Sequence, residues 1–305
     1  MMETHMQKER SRPEWLKIKL DTSGDFMRTR KLMRSQGLNT VCEEAHCPNI
    51  GECWSGKNAP GTATFMLMGD RCSRTCNFCN VTTGGMLPLD PEEPLNIASA
   101  ISELNLEYAV LTSVNRDDLP DQGAGHFAKT IDAIRNLNPD TLIETLIPDF
   151  QCDFDSLDKI ISAKPDVIAH NIETVERLQW PIRDRRAGYE QSLSVLDYIN
   201  STSGIYTKSS LMLGLGEYDG EVYQTLSDLK EHGVNFVTLG QYLQPSLRHL
   251  EIFEYVSPLK FETWKCVAED ELGFLYCASG PLVRSSYRAG EFFIRSLIST
   301  SVPSP

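Results

Sequence analysis

The chain has 305 residues, with 29 basic against 42 acidic side chains for a net charge of −13, and is 41% hydrophobic and 23% charged, the balance of an ordinary globular protein. That length accommodates two average domains or one α/β barrel of about 250 residues with additions, and a core of that size needs no disulfide staples. No apolar run reaches the roughly 18 residues needed to span a bilayer, Met1–Arg12 lacks the apolar centre of a secretory signal, and the acidic balance argues against general nucleic-acid binding.

Residues 1–20 form a charged leading stretch. Cys42–Gly61 follows as a run of Cys, Gly, Asn and Pro with little periodicity. Such a run reads as a loop unless something other than an apolar core holds it. Within it stand Cys42, Cys47 and Cys53, a Cys-x4-Cys-x5-Cys spacing. In a chain without an export signal, clustered cysteines are metal ligands or redox groups more often than disulfides. Three thiolates this close repel one another unless a cation compensates them, which points to a metal cluster. A zinc ion completed by His46 is the alternative, but His46 adjoins Cys47 and is poorly placed to share its metal.

From Thr64 onward short apolar runs alternate with amphipathic segments. Strands are predicted at Thr64–Met68, Tyr108–Val114, Leu142–Ile147, Asp166–Asn171, Ser209–Leu215, Val234–Leu239 and Gly273–Ala278. Helices are predicted around Asn96–Leu106, Gly125–Leu137, Phe154–Ala163, Tyr189–Asn200, Asp219–His232 and Pro258–Leu272. This alternation gives a parallel sheet with helices outside, and right-handed crossovers let it curl. The expected fold class is therefore α/β: a partial (β/α)6-type TIM barrel over residues 61–280. An N-terminal extension covers 1–60 and a C-terminal one 281–305, ending in the Ser/Pro tail Ser299–Pro305. Chemistry in such barrels sits at the carboxyl ends of the strands, where Asn115–Asp118, Pro148–Asp153, Asn171–Thr174, Gly214–Glu217 and Gln241–Gln244 are all polar.

Directly after the first strand comes Cys72-Ser-Arg-Thr-Cys76-Asn-Phe-Cys79, a Cys-x3-Cys-x2-Cys run. A loop this short can aim three thiolates at one iron–sulfur cube, each on a different iron, leaving the fourth iron open. Zinc is again the alternative; structural zinc takes four ligands in paired form, and no obvious fourth follows nearby. Cys152, Cys266 and Cys277 stand singly and read as ordinary thiols. His5, His126, His170, His232 and His249 lack ligand spacing, and Asp117-Asp118 reads as a strand-end turn. Gly214-Leu-Gly216-Glu217 lacks the third glycine of a dinucleotide site.

The Cys72 run, with Phe78 just before its last cysteine, resembles the signature of the radical S-adenosylmethionine superfamily. Adding the Cys42 run and Gly280-Pro-Leu-Val-Arg284-Ser285-Ser286-Tyr287, the chain resembles the lipoyl synthase family from about Trp15 to Leu297. Further stretches carry the likeness: Cys47-Pro-Asn-Ile-Gly-Glu-Cys-Trp, Leu111-Thr-Ser-Val-Asn-Arg-Asp-Asp, Ala169-His-Asn-Ile-Glu-Thr and Met212-Leu-Gly-Leu-Gly-Glu. Another radical sulfur inserter such as biotin synthase would leave the Cys42 run and Ser286 unexplained. A zinc-stapled interaction protein is the rival from another class, and it would be colourless where iron–sulfur protein is brown.

The resemblance implies two 4Fe-4S clusters and S-adenosylmethionine as cofactors, and sulfur insertion at C6 and C8 of an octanoyl chain on a lipoyl carrier. Cys72, Cys76 and Cys79 would hold the radical cluster. Cys42, Cys47 and Cys53, with Ser286 as fourth ligand, would hold an auxiliary cluster that serves as sulfur donor. For S-adenosylmethionine, Phe78 is expected at the adenine, Ser113 at the methionyl amine, Asn171 and Glu173 at the ribose or amine, and Arg183 at the carboxylate. Expected partners are the octanoylated glycine-cleavage H protein or 2-oxoacid dehydrogenase E2 domains, and a ferredoxin or flavodoxin as electron donor. Arg183, Arg185 and Arg186 form the densest basic cluster and are expected to meet the acidic carrier. No Arg/Ser-rich transit peptide is visible, so the expected location is cytoplasmic, or the mitochondrial matrix for a processed form.

Overall fold

A computed structural model describes residues 12–17, 24–45, 47–54 and 63–286. His46, Tyr287 and the Ser299–Pro305 tail lie outside the described residues. One seven-stranded sheet runs through the molecule, with its strands in sequence order. They are β1 (Ala63–Leu67), β2 (Tyr108–Ser113), β3 (Leu142–Leu146), β4 (Val167–Ala169), β5 (Tyr206–Leu213), β6 (Phe236–Gln241) and β7 (Tyr276–Gly280). Every pairing is parallel. The crossovers carry the helices Glu93–Leu104, Ala124–Leu137, Phe154–Ser162, Tyr189–Thr202, Asp219–Glu231 and Pro258–Cys266. The architecture is the α/β partial barrel that the alternation predicts.

Period-two alternation sorts the strand residues. Ala109, Leu111, Ile143 and Ile168 join Ile97, Ile101, Phe127 and Ile131 of the helices in one core. Leu211, Leu213, Val237 and Leu239 join Leu226, Phe261 and Trp264 in a second. Residues of the other parity, Tyr108, Val110, Val167 and Phe236 with Leu142, Tyr206 and Tyr276, form a separate cluster inside the curve of the sheet. Each large side chain so buried contributes roughly 1.5–3 kcal/mol. Above this apolar floor, Lys208 Nζ lies 2.9 Å from both Glu144 oxygens, and the Tyr108 hydroxyl donates to the same carboxylate at 2.6 Å. Further inward positions in register with these include Thr112, Leu146, Ala169, Ser210, Met212 and Gly240.

Three local expectations change. The predicted strand Ser209–Leu215 begins three residues earlier, at Tyr206; its polar Thr207 and Lys208 hide the pattern because one bonds the Gly233 carbonyl and the other pairs with Glu144. The predicted helix Pro258–Leu272 ends its α-helical part at Cys266 and continues as a π turn over Val267–Glu271. The expected loop from Cys42 holds two short helices, Val41–Glu44 and Ile50–Trp54, preceded by the helix Gly24–Ser35. Thr40 caps the first of these by accepting from Glu43 N, and Arg30 and Arg34 both reach Glu43. This segment closes the outer edge of β1, where Met66 N donates to the Asn39 carbonyl at 2.9 Å.

Candidate active site

Cys72, Cys76 and Cys79 occupy the loop that leaves the carboxyl end of β1, and all are partly buried. Backbone amides aim at their sulfurs. Arg74 N and Asn115 N lie 3.4 and 3.3 Å from Cys72 Sγ, and Asp184 N lies 3.3 Å from Cys76 Sγ. Burial, and then the mutual repulsion of the sulfurs, holds the Cys76 thiol up to about 12 and the Cys79 thiol up to about 11. Undersaturated with positive charge, such thiols favour a cationic metal core, and amide donors to sulfur are what tune an iron–sulfur cluster. Among the described residues no three His, Cys, Asp or Glu side chains gather closely enough to hold a single metal ion. The donor chemistry fits the cluster that the spacing predicts.

The loop is clamped from below. Arg74, between two of the cysteines, is 4% exposed and forks to Asp117 at 2.8 Å and Asp149 at 2.6 Å. Asp149 reaches it from a turn in which Phe150, Gln151 and Cys152 all have positive φ, a conformation that costs about 1–2 kcal/mol per residue. The Asp149 carboxylate secures that turn by accepting from Gln151 N at 2.9 Å. Asp184 accepts from Thr75 N and from Arg186, which depress its carboxyl well below the usual range. Asp117-Asp118 is a strand-end turn as read, each carboxylate held by an arginine.

Of the residues expected at S-adenosylmethionine, Asn171, Glu173 and Arg183 converge. Asn171 Nδ2 donates to Glu173 Oε1 at 3.1 Å. Burial raises the Glu173 carboxyl, opposed by the Arg183 charge, and both groups feel the Cys76 sulfur. Ser113, at the end of β2, has a buried hydroxyl without a partner, a group left for a ligand. Phe78 is half-buried on the cluster loop. Arg183 is 7% exposed and its Nη1 bonds Gln179 Oε1 and Ser192 Oγ, each at 2.9 Å. It therefore belongs to the interior and not to a surface strip. Arg186 is engaged with Asp184, Asp117 and the Ser73 carbonyl. With Arg183 buried and Arg186 paired, the three do not form the basic strip expected to meet the carrier, and Arg185 stands as a single surface cation.

His170 is buried between the Ile147 carbonyl and Ser192 Oγ, each 2.9 Å away. Burial and then the Arg183 charge push it down to about 4, against the pull of Asp149. Its neutral form thus supports the fold above its unfolded value of about 6.5, and that support fades as the pH falls from there toward about 4. In urea unfolding, His170→Asn is expected to lose less stability than the wild type across this window; parallel profiles would remove the assignment.

The second triad lies alongside. Cys42 is 8% and Cys53 9% exposed. Burial, then the Cys47 sulfur, pushes the Cys42 thiol up to about 12. Burial also raises the Cys47 thiol, while the Asn49 amide and the Arg284 charge oppose it. Trp54 Nε1 is buried and makes no hydrogen bond of regular geometry, although the indole faces the Cys42 sulfur. A buried indole donor facing the Cys42 thiol, with the Cys47 sulfur close enough to raise it, fits a sulfide-bearing cluster here too. Two asparagines that spacing alone does not single out join the parts. Asn80 Nδ2 donates to the Glu44 carbonyl at 2.8 Å, tying the first triad to the second. Asn49 Nδ2 donates to the Leu282 carbonyl at 2.7 Å, bringing the segment that ends at Ser286 beside Cys47. A Cβ on Gly240 would lie 2.2 Å from the Val283 carbonyl, so only glycine admits this segment over β6.

Residues 66–229 match the Radical SAM superfamily. The chain is 65% identical over 289 residues to the lipoyl synthase of Halobacterium salinarum, covering 95% of this chain and 93% of the relative. It is 56% identical over 289 residues to the mitochondrial lipoyl synthase of Schizosaccharomyces pombe, covering 94% and 78%. Among solved structures, methylornithine synthase matches with a TM-score of 0.55 at 12% identity, covering 80% of this chain and 83% of that one, a likeness of fold alone.

Proposed function

The chain belongs to the lipoyl synthase family, and on that premise we propose which of its residues carry out sulfur insertion. It is a radical S-adenosylmethionine enzyme whose cofactors are S-adenosylmethionine and two 4Fe-4S clusters. It inserts sulfur at C6 and C8 of an octanoyl chain attached to a lipoyl carrier, with the auxiliary cluster as sulfur donor. When bound, these groups supply the electron, the hydrogen-abstracting radical and the sulfur that no side chain can provide.

Cys72, Cys76 and Cys79 hold the radical cluster in this reading. Cys42, Cys47, Cys53 and Ser286 hold the auxiliary one. Ser113, Asn171, Glu173, Arg183 and Phe78 position S-adenosylmethionine, and the upper barrel interior takes the alkyl chain. Residues 1–60 and 281–305 act as extensions that together carry the auxiliary centre, and 61–280 as the barrel. The observation that carries the assignment is that Asn80 ties the first thiol triad to the second while Asn49 ties the second to the stretch leading to Ser286. Anaerobic incubation of an octanoylated carrier with enzyme, S-adenosylmethionine and reductant tests it. The carrier mass should rise by two sulfurs; an unchanged mass would overturn the reading.

The carrier is a glycine-cleavage H protein or a dehydrogenase E2 domain, the reductant a ferredoxin or flavodoxin, and the site of action the cytoplasm, or the mitochondrial matrix for a processed form. Among the described residues no helix is long and apolar enough to cross a membrane. An alkoxide is a harder ligand than thiolate and suits sulfur-bridged iron less well. Ser286 would therefore hold its iron more weakly than the three cysteines hold theirs. Ser286→Cys is expected to yield a fully loaded but poorly productive auxiliary centre, read as normal iron content with a reduced lipoyl yield. Equal turnover would sink the idea.

A further inference from the structure

The outer face of the Cys72–Cys79 loop is exposed through Thr75 and Asn77, and two loops flank it. On one side Asn77 N and Nδ2 donate to the Ile182 and Pro181 carbonyls at 2.9 and 2.7 Å. That loop presents Trp180, 63% exposed, with the Arg185 guanidinium 5.6 Å over its ring. On the other side Leu250 N approaches the Asn77 carbonyl, and His249 Nε2 lies 3.0 Å from the Cys79 carbonyl. That loop presents Leu247, 98% exposed, next to the exposed Arg248. Neither Arg185 nor Arg248 has a carboxylate partner among the described residues; the exposed Glu251 is the acidic exception nearby. A hollow of about 420 Å³ lies beside Thr75 and Asn77, bordered by Trp180, Pro181 and the run Arg183-Asp184-Arg185-Arg186, and no strand residue of the barrel interior borders it.

Resting on the radical-cluster assignment above, we propose that this face is where a small acidic redox protein docks to deliver the electron. Arg185 adjoins Asp184, whose amide lies 3.3 Å from Cys76 Sγ, so the patch is one hydrogen bond from a cluster ligand. Electron tunnelling falls steeply with distance, which makes such a surface the efficient entry point. One electron leaves the donor's own centre, which is oxidised by one, and enters the cluster, which is reduced by one; no proton moves. The chain carries −13 overall, so an acidic donor is repelled at long range and needs a local basic patch, effective within about 8–10 Å at physiological salt. Exposed Trp and Arg are the side chains that anchor interfaces, and redox encounters are small, below about 1,200 Å² in total. The carrier must instead present its alkyl chain to the barrel interior, and no barrel strand contributes a residue to this hollow.

The test uses the reconstituted full-length enzyme and follows 5′-deoxyadenosine formation in two arms, one driven by a reduced two-iron ferredoxin and one by dithionite. In the double variant Arg185→Glu, Arg248→Glu the ferredoxin-driven rate is expected to fall at least about tenfold and to lose its salt dependence. The dithionite-driven rate, and the carrier KM under dithionite, should stay at wild-type values. Trp180→Ala should lower the ferredoxin arm alone. An unchanged ferredoxin arm, an equal loss in both arms, or a raised carrier KM under dithionite would each overturn the proposal. Wild-type enzyme that cleaves S-adenosylmethionine under dithionite but adds no sulfur to the carrier would overturn the reading of function instead, leaving the two-arm comparison intact.

Discussion

Replacing Cys76 with alanine is expected to reduce 5′-deoxyadenosine formation to background and leave the octanoyl chain untouched. Cys76 sits in the triad whose sulfurs receive the amide bonds of Arg74, Asn115 and Asp184, and that triad is assigned to the centre that reduces S-adenosylmethionine. Cys47→Ala is expected to fail differently. Cys47 lies with Asn49 and Arg284 in the other triad, assigned to sulfur donation. That variant should still cleave S-adenosylmethionine yet attach no sulfur, and any substrate radical should be quenched or desaturated in a site that excludes water. Chromatography of 5′-deoxyadenosine and mass spectrometry of the carrier are sufficient. A normal first-turnover lipoyl yield from Cys47→Ala would show that the sulfur comes from elsewhere.

Arg74→Met is expected to be among the most destabilising substitutions in the chain. The Arg74 side chain is 2% exposed and Asp149 1%, and Asp117 shares the same guanidinium. Removing one member of a buried ionic network strands the others, at a cost of about 3–5 kcal/mol. Because Arg74 lies between Cys72 and Cys76, its loss should also slow 5′-deoxyadenosine formation in protein that remains folded. Urea unfolding measures the first effect. Pairing Arg74→Met with Asp149→Asn should cost less than the two single changes added together, since the more deeply buried of the two stranded charges is then gone. A loss under about 1 kcal/mol for Arg74→Met would mean that water already satisfies the site.

The alternation of apolar runs with amphipathic segments was sufficient to determine the parallel sheet, because the side-chain periods of strand and helix are local properties of the chain. Cysteine spacing alone separated the two triads, since a short loop can aim thiolates at one metal core only from a few positions. The limits of sequence reading lie where partners are distant in the chain. Lys208 and Glu144, 64 residues apart, read as misplaced charges in apolar strands until the sheet brings them to 2.9 Å. Arg183 and Arg186 read as free surface cations, and only their neighbours reveal that Arg183 is buried against Ser192 and Gln179 and that Arg186 is paired with Asp184 and Asp117. The Cys42 segment lacks periodicity because it leans on β1 and on bonds such as Thr40 to Glu43 rather than on an apolar face of its own. Spacing could determine which residues are able to bind a cluster. Only the tertiary structure decided that the two triads are neighbours, through the Asn80 to Glu44 bond, and that the Cys47 segment meets the stretch leading to Ser286, through Asn49 and Leu282, 233 residues apart. A hydrogen bond between an asparagine amide and a backbone carbonyl leaves no periodic trace in a sequence.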